Sequence, residues 1–400
     1  MKSAKPLTKA PRRKAVVGTT VALKIQRTCY PAEALSEIGL HHFLRREKGP
    51  CPDLIDMIEA FAHEGHLCTA YELHGRSLDT VVARSPLAVE PLKCLTRQLL
   101  RALNHLHTSG YIHADVKPEN VLYRSSPKPQ ARLSDIGGAR PQLSQGASIG
   151  TRDYLPPEAI LGQALGPAVD LWALACTLFL AATGQRLFHP RQAAEGKYVE
   201  LNEELPDDAY DPSFHADAAA ETAEQYRSGT LIAGKYRLIS RLGQGRFATV
   251  WRAIEEHPIT LDGSYETLTA MPVLAPDDPP EHHSTPDAAS AWRSRRGAED
   301  LHDLVINYEH LVLMQELLGP PPARWASQGR YADTYCDPTG HLKHDPPPCT
   351  TVSLAQRLTE AHVPPPAAEA FAAFLRSLLT WHPADRPSAA ACLRHPWLSA

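Results

Sequence analysis

Apolar positions along this chain change their period, from two near its start to between three and four further on, and the change lays out its elements. Val21-Ala22-Leu23-Lys24-Ile25 is apolar and partly β-branched around one lysine, which predicts a strand. Pro31 to Phe43 sets Ala34, Leu35, Ile38 and Leu40 near helical spacing, with a proline suited to a first turn, and predicts a short helix. Leu54 to Ala62 and Leu67 to Leu73 flank the turn His63-Glu64-Gly65-His66 and predict a hairpin. Leu92 to His107 carries Leu95, Leu99, Leu103 and Leu106 on one stripe, the mark of a buried helix. Much later, Gly234 to Trp251 again reads strand, glycine turn, strand. Strands before helices fit a small sheet lobe followed by a helical lobe.

Composition narrows the class. With 400 residues, 43% of them hydrophobic and 22% charged, the chain has material for one large two-lobed body or two ordinary domains. A net charge of -4 gives no bulk reason for direct nucleic-acid binding. The eight cysteines, at 29, 51, 68, 94, 176, 336, 349 and 392, form no C-x-x-C pair, so reduced thiols are expected rather than disulfides or structural zinc. The basic start lacks an apolar stretch for a signal peptide, and the longest apolar run, Leu171 to Ala182, is too short to span a bilayer. No membrane association is expected, and cytoplasm and nucleus are the expected compartments. Arg12-Arg13-Lys14 reads as part of a solvated basic tail over residues 1–17.

Chemistry concentrates in His113-Ala114-Asp115-Val116-Lys117-Pro118-Glu119-Asn120 and, a little later, Ser134-Asp135-Ile136-Gly137. Ile112 to Leu122 resembles the catalytic loop of eukaryotic protein kinases, and Asp135-Ile136-Gly137 resembles their metal-binding D-x-G. In the order the family has them follow Gly150-Thr151-Arg152-Asp153-Tyr154-Leu155-Pro156-Pro157-Glu158, like the end of an activation segment, then Asp170-Leu171-Trp172 and Arg386-Pro387. The resemblance implies an α+β bilobal kinase-like fold with a small β-rich N-lobe and a larger helical C-lobe. It implies ATP and Mg2+ as cofactors and a protein as substrate. By that likeness Asp115 orients or deprotonates the substrate hydroxyl and Lys117 sits beside the transferring phosphate. Asn120 and Asp135 hold Mg2+, an oxygen-seeking ion. Lys24 contacts nucleotide phosphates and is held by Glu37, with Glu33 one turn away as the competing partner. Ala22, Glu72 and Leu73 belong to the implied ATP site. Glu158 and Arg386 form a structural ion pair inside the helical lobe, with Asp170 a third structural residue. Such chemistry needs little from the protein beyond positioning and charge neutralisation.

Finer matches resemble the SR-protein kinases: Tyr71-Glu72-Leu73-His74-Gly75, Asp135 to Ala139, Cys176 to Phe188, Glu309 to Gly319, and Leu379 through Leu398. That likeness implies serine/threonine transfer to Arg/Ser-rich segments of splicing factors. Leu155 departs from it, standing where the family has arginine, and it bears on the substrate-facing pocket. Ala114 replaces the arginine that many kinases pair with a phosphorylated segment, so little dependence on segment phosphorylation is expected.

The order of the parts is unusual. Leu242-Gly243-Gln244-Gly245-Arg246-Phe247-Ala248-Thr249-Val250-Trp251 resembles the nucleotide-covering hairpin of the same family, implying ATP contacts at Leu242, Gly243, Gly245, Phe247 and Val250, yet it follows the catalytic loop. The chain therefore divides into the tail 1–17, a partial sheet lobe 18–75, a first helical part 76–191, an insertion 192–305 that holds the hairpin 234–253, and a second helical part 306–399. Inside the insertion, Glu195 to Glu224 is acidic and Ala275 to Asp300 is proline-rich; the first reads as a solvated linker before a docking strip, the second as extended. The 45 residues from His189 to Gly234 span about 35 to 40 Å as a flexible chain, enough to bring the hairpin back to the sheet. Docking within one chain gives a monomer and exchange between two gives a swapped dimer. A hairpin that stays away leaves a kinase-like scaffold with impaired ATP binding, and a rearranged or misassembled reading is a third origin for the order.

Overall fold

The computed structural model describes residues 18–27, 31–143, 149–189, 226–245, 248–256, 304, 306–343 and 353–399. The basic tail, the acidic stretch, the proline-rich stretch and Phe247 lie outside the described residues. Along the chain run β1 (Thr20–Gln26), α1 (Pro31–Glu47), β2 (Met57–His63), β3 (His66–Glu72), β4 (Arg76–Ser77), α2 (Leu78–Val82), α3 (Val89–His107), β5 (Tyr111–Ile112), β6 (Val121–Arg124), β7 (Gln130–Leu133), β8 (Arg140–Pro141), α4 (Pro157–Ile160), α5 (Ala168–Thr183), β9 (Leu231–Ile232), β10 (Tyr236–Gln244) and β11 (Ala248–Glu255). Short helices and the longer Pro365–Leu378 complete the C-terminal part. The chain forms two compact units, one of residues 1–39, 56–73 and 213–273, the other of 40–55, 74–212 and 274–400.

The first unit is a six-stranded sheet in the order β2-β3-β1-β11-β10-β9. Strand β1 alternates: Val21, Leu23 and Ile25 are buried on one face, as the sequence pattern predicts. It pairs antiparallel with β3 on one side and with β11 on the other, from Thr20 opposite Ile254 to Gln26 opposite Ala248. The late hairpin thus supplies the neighbours that β1 otherwise lacks. Tyr226, Ile232, Tyr236, Leu238, Trp251 and Ala253 join Val21, Leu23, Ile25 and Phe61 in one core. Tyr236 and Trp251 each remove on the order of 150 to 250 Å² from water, roughly 4 to 6 kcal/mol of transfer free energy apiece. Burial of that size, added to a seven-residue ladder, makes hairpin docking a matter of core formation rather than edge decoration. The sheet curls, because Phe61 of β2 stacks on Tyr236 of β10 at 5.7 Å although three strands separate them in the sheet order.

Two boundaries differ from expectation. The second strand begins at Met57 rather than Leu54, because the backbone there is engaged elsewhere: Ile55 N–H donates to the Leu133 carbonyl at 2.9 Å and Leu133 N–H to that of Asp53 at 2.9 Å. Helix α1 continues past Phe43 to Glu47; Arg45 and Arg46 suit its negative C-terminal end, and the chain then turns at Gly49 with φ +78°.

The second unit is helical around α3 and α5. Nearly every residue of α5 is buried, the pattern of a central helix, and Gly184 closes it in a left-handed cap. Phe371 and Phe374 of Pro365–Leu378 stack on Trp397 at 4.5 and 5.0 Å. Strands β4, β6 and β7 form a small sheet against which Gly75 fits by necessity: a Cβ there would lie 1.9 Å from the Tyr123 carbonyl oxygen. Among the described residues no helix is long and apolar enough to cross a membrane. The six described cysteines are free, and burial pushes the Cys68 thiol up to about 12.

Candidate active site

In the sheet unit, strand register sets the side chains. Lys24 of β1 lies opposite Val250 of β11, and Val250 lies opposite Gly243 of β10, so three of the predicted residues form one row across adjacent strands. Lys24 Nζ donates to Glu37 Oε2 at 2.7 Å, which selects Glu37 over Glu33 as the partner. Tyr71 OH donates to the other oxygen, Glu37 Oε1, at 2.6 Å. Burial and the Glu37 charge push the Tyr71 phenol well above its ordinary range, so it stays a proton donor. Ala22 lies opposite Tyr71 and Arg252, and Glu72 opposite Val21. Leu73 closes this stretch and is half-buried, while Leu242 is exposed on β10.

The helical unit holds the loop from β5 to β6. Here Asp170, at the start of α5 and 1% exposed, accepts three hydrogen bonds: from His113 N–H at 2.8 Å, from Ala114 N–H at 2.9 Å and from His107 Nε2 at 2.8 Å. Those bonds hold Ala114 at φ +64°, a left-handed conformation that alanine rarely adopts. His113 Nδ1 accepts from Asp115 N–H at 3.3 Å, which assigns the proton to Nε2, the donor to the Ser134 carbonyl at 3.0 Å. The loop is therefore pinned on both sides of its acid.

Asp115 sits in a closed set of polar contacts. Lys117 Nζ is 2.8 Å from Asp115 Oδ2 and donates to Thr151 Oγ1 at 2.7 Å, and Thr151 Oγ1 donates to Asp115 Oδ1 at 2.8 Å. Asn120 Nδ2 donates to the Asp115 carbonyl at 2.8 Å and to Asp115 Oδ2 at 3.1 Å. Both bonds come from the amide nitrogen, so the amide oxygen is the atom left for a cation. Asp135, next to Ser134, is an exposed carboxylate held at φ +58°. No three His, Cys, Asp or Glu side chains among the described residues cluster to hold a metal alone. One amide oxygen and one carboxylate nevertheless suit Mg2+, which takes few protein ligands and completes its shell with water and phosphate.

Glu158 and Arg386 meet in two parallel bonds of 2.6 and 2.8 Å with no exposed side-chain surface, and the guanidinium also covers the Trp172 ring at 4.9 Å. Removing one partner of such a pair costs about 3 to 5 kcal/mol. Thr151, Tyr71 and His107 were not singled out as functional from sequence, although Thr151 and Tyr71 stood within quoted motifs and His107 ended a predicted helix.

A pinned acid with a lysine two residues on in one unit, and a lysine–glutamate pair in a separate β-rich unit, are features that the two-lobed protein kinases carry. Comparison with known families agrees: the protein kinase domain matches residues 6–225, more than half of the chain, and the chain belongs to that family. The match ends just ahead of the late hairpin. Among curated proteins, it is 30% identical over 175 residues to "Dual specificity tyrosine-phosphorylation-regulated kinase 3" of Homo sapiens, 42% of this chain and 30% of that protein. It is 27% identical over 205 residues to "Dual specificity protein kinase YAK1" of Saccharomyces cerevisiae, 49% of this chain and 25% of the other. It is 33% identical over 182 residues to the "DYRK-family kinase pom1" of Schizosaccharomyces pombe, 43% and 16% respectively. The matched segments thus span less than a third of each relative.

Proposed function

We propose that this chain transfers the γ-phosphoryl group of ATP to serine or threonine hydroxyls of a protein substrate. The observation that carries the reading is the Asp115 carboxylate, fixed by Lys117, Thr151 and Asn120 on a strained loop. In the reaction the substrate oxygen bonds to the γ-phosphorus, the bond to the bridging oxygen of the departing diphosphate breaks, and the hydroxyl proton passes to Asp115. Lys117 sits where it can offset charge on the transferring group. Mg2+ held by the Asn120 amide oxygen and the Asp135 carboxylate would neutralise phosphate charge. Lys24, oriented by Glu37, would contact nucleotide phosphates, with Ala22, Glu72, Leu73, Leu242 and Val250 as the further ATP-binding residues of the sheet unit.

The glycines support this reading. Neither Gly243 nor Gly245 has a positive φ, and a Cβ on Gly243 would meet no atom within 4 Å. The fold itself does not demand glycine at 243, so close approach of a phosphate is the reason proposed. That makes the late hairpin the nucleotide-covering element, displaced in sequence.

The finer substrate is an Arg/Ser-rich segment of the splicing machinery, met in cytoplasm and nucleus by a monomer or swapped dimer. One observation favours a second substrate: Ile149, Leu155, Pro156, Val169 and Ala173 line a hollow next to Asp115. Asp115 and Asp170 line the same hollow, so its apolar side chains make an apolar neighbour of the acceptor a candidate beside an arginine. Two of the relatives named above carry dual specificity in their names, which makes a tyrosine peptide a useful third substrate. Transfer from labelled ATP to Arg-Ser, Leu-flanked Ser and Tyr peptides is expected to favour serine. Asp115→Asn is expected to lower it about 10² to 10⁴-fold; equal transfer by both proteins refutes the kinase reading.

A further inference from the structure

Asp153 follows Thr151 by two residues, inside the one-turn 3-10 helix Arg152–Tyr154, so it moves with the hydroxyl that links Asp115 and Lys117. Its side chain is 13% exposed, and its Oδ2 lies 2.6 Å from Arg186 Nη1 and 3.7 Å from His189 Nδ1. Arg186 stands just past Gly184, the cap of buried α5. A negative charge on the segment is therefore received by a cation two residues past the cap of the buried helix α5. Ala114 offers no cation on the loop side, and Tyr154, the only tyrosine from Asp135 to Glu158, is buried. We propose that Asp153 is the built-in negative charge that holds the substrate-facing segment in its working position, with Arg186 as its receptor, so that the segment needs no phosphate. Both are positioning residues; neither touches the transferring group.

The inference rests on the kinase reading, and its test separates the two. Asp153→Asn and Arg186→Gln are each expected to raise the peptide KM about fivefold with kcat within about twofold, the size of one partly exposed ion pair. Exchange of the Tyr154 and Leu155 amides, bonded to Thr151 and Arg152 carbonyls, should quicken in both variants. The charge swap, Asp153→Arg with Arg186→Asp, should restore KM and amide protection, which a merely misfolded variant would not do. Phosphatase-treated wild type should keep its activity. Unchanged KM and exchange in both single variants, failure of the swap, or loss of activity on dephosphorylation overturns the clamp. A wild type that transfers no phosphate overturns the kinase reading instead, and the exchange measurements then still decide the clamp.

Discussion

His310 is fully buried, its ring 5.3 Å from that of Phe188, and neither ring nitrogen has a partner among the described residues. Burial, with the Arg152 charge adding to it, lowers its pKa to about 3. Above pH 6.5 the ring is neutral folded or unfolded and contributes nothing to pH dependence. Between 6.5 and 3 the unfolded chain binds a proton that the fold refuses, so stability falls as pH falls, by up to about 1.4 kcal/mol per pH unit. Urea unfolding at pH 7 and pH 5.5 should show wild type losing about 1 kcal/mol more than His310→Leu; parallel losses would show that the ring protonates within the fold. Sequence spacing gives no hint of this, because burial of a histidine depends on what packs over it from other segments. The same limit applies at the site. Asp115, Lys117 and Asn120 were legible because one loop carries them at fixed spacing. Thr151, 36 residues from Asp115, became a partner only through the fold, as did Tyr71 for Glu37. Asp170 was read as a structural residue, and its carboxylate turns out to fasten the catalytic loop.

Among the elements, strands and helices of strong period were legible to within a few residues: β1 and α3 were anticipated as 21–25 and 92–107 and run Thr20–Gln26 and Val89–His107. What periodicity could not supply was partnership. Nothing in the alternation of Tyr236–Gln244 names β1 as the strand that β11 will join. Side chains at the base of the hairpin specify it: Lys235 Nζ, almost fully buried, lies 2.6 Å from Glu59 Oε1, to which Tyr236 OH also donates at 2.6 Å, and 3.3 Å from Glu255 Oε1. The longer contact lacks hydrogen-bond geometry, leaving Glu255 Oε1 with no hydrogen bond among the described residues and the Lys235 charge nearby. Lys235→Met leaves two carboxylates near each other without their cation, a change worth about 3 to 5 kcal/mol. Hydrogen exchange should find the Tyr236–Gln244 and Ala248–Glu255 amides protected in wild type and selectively faster in Lys235→Met, with β2 and β3 less affected. Full exposure of the wild-type hairpin, with and without an ATP analogue, would remove both the docking and the nucleotide role built on it.

For the whole molecule the question is whether the order of the parts matters to the fold. The end of β11 and the start of β1 are already neighbours: Gly18 N–H donates to the Glu255 carbonyl at 2.8 Å and Glu255 N–H to that of Thr19 at 3.0 Å. A short turn could join Glu256 to Gly18 with no strand moved. The sheet therefore has the topology of one whose hairpin comes first, and only the connections differ. Loop closure grows slowly with length, about 0.6 kcal/mol per doubling, so the long connections on either side of the hairpin cost little more than short ones. A chain rewritten with residues 226–256 ahead of residue 18, and residue 189 linked to 304 through a short flexible spacer, should keep the same register. Its unfolding free energy should stay within about 1 to 2 kcal/mol of that of the natural order, and its transfer activity should match or exceed it. Faster refolding is the expected gain, since β11 and β1 would then form a local pair instead of closing a loop of more than two hundred residues. A reordered chain that loses the sheet would mean the present connections take part in specifying the fold, against the packing argument made from Tyr236, Trp251 and Lys235.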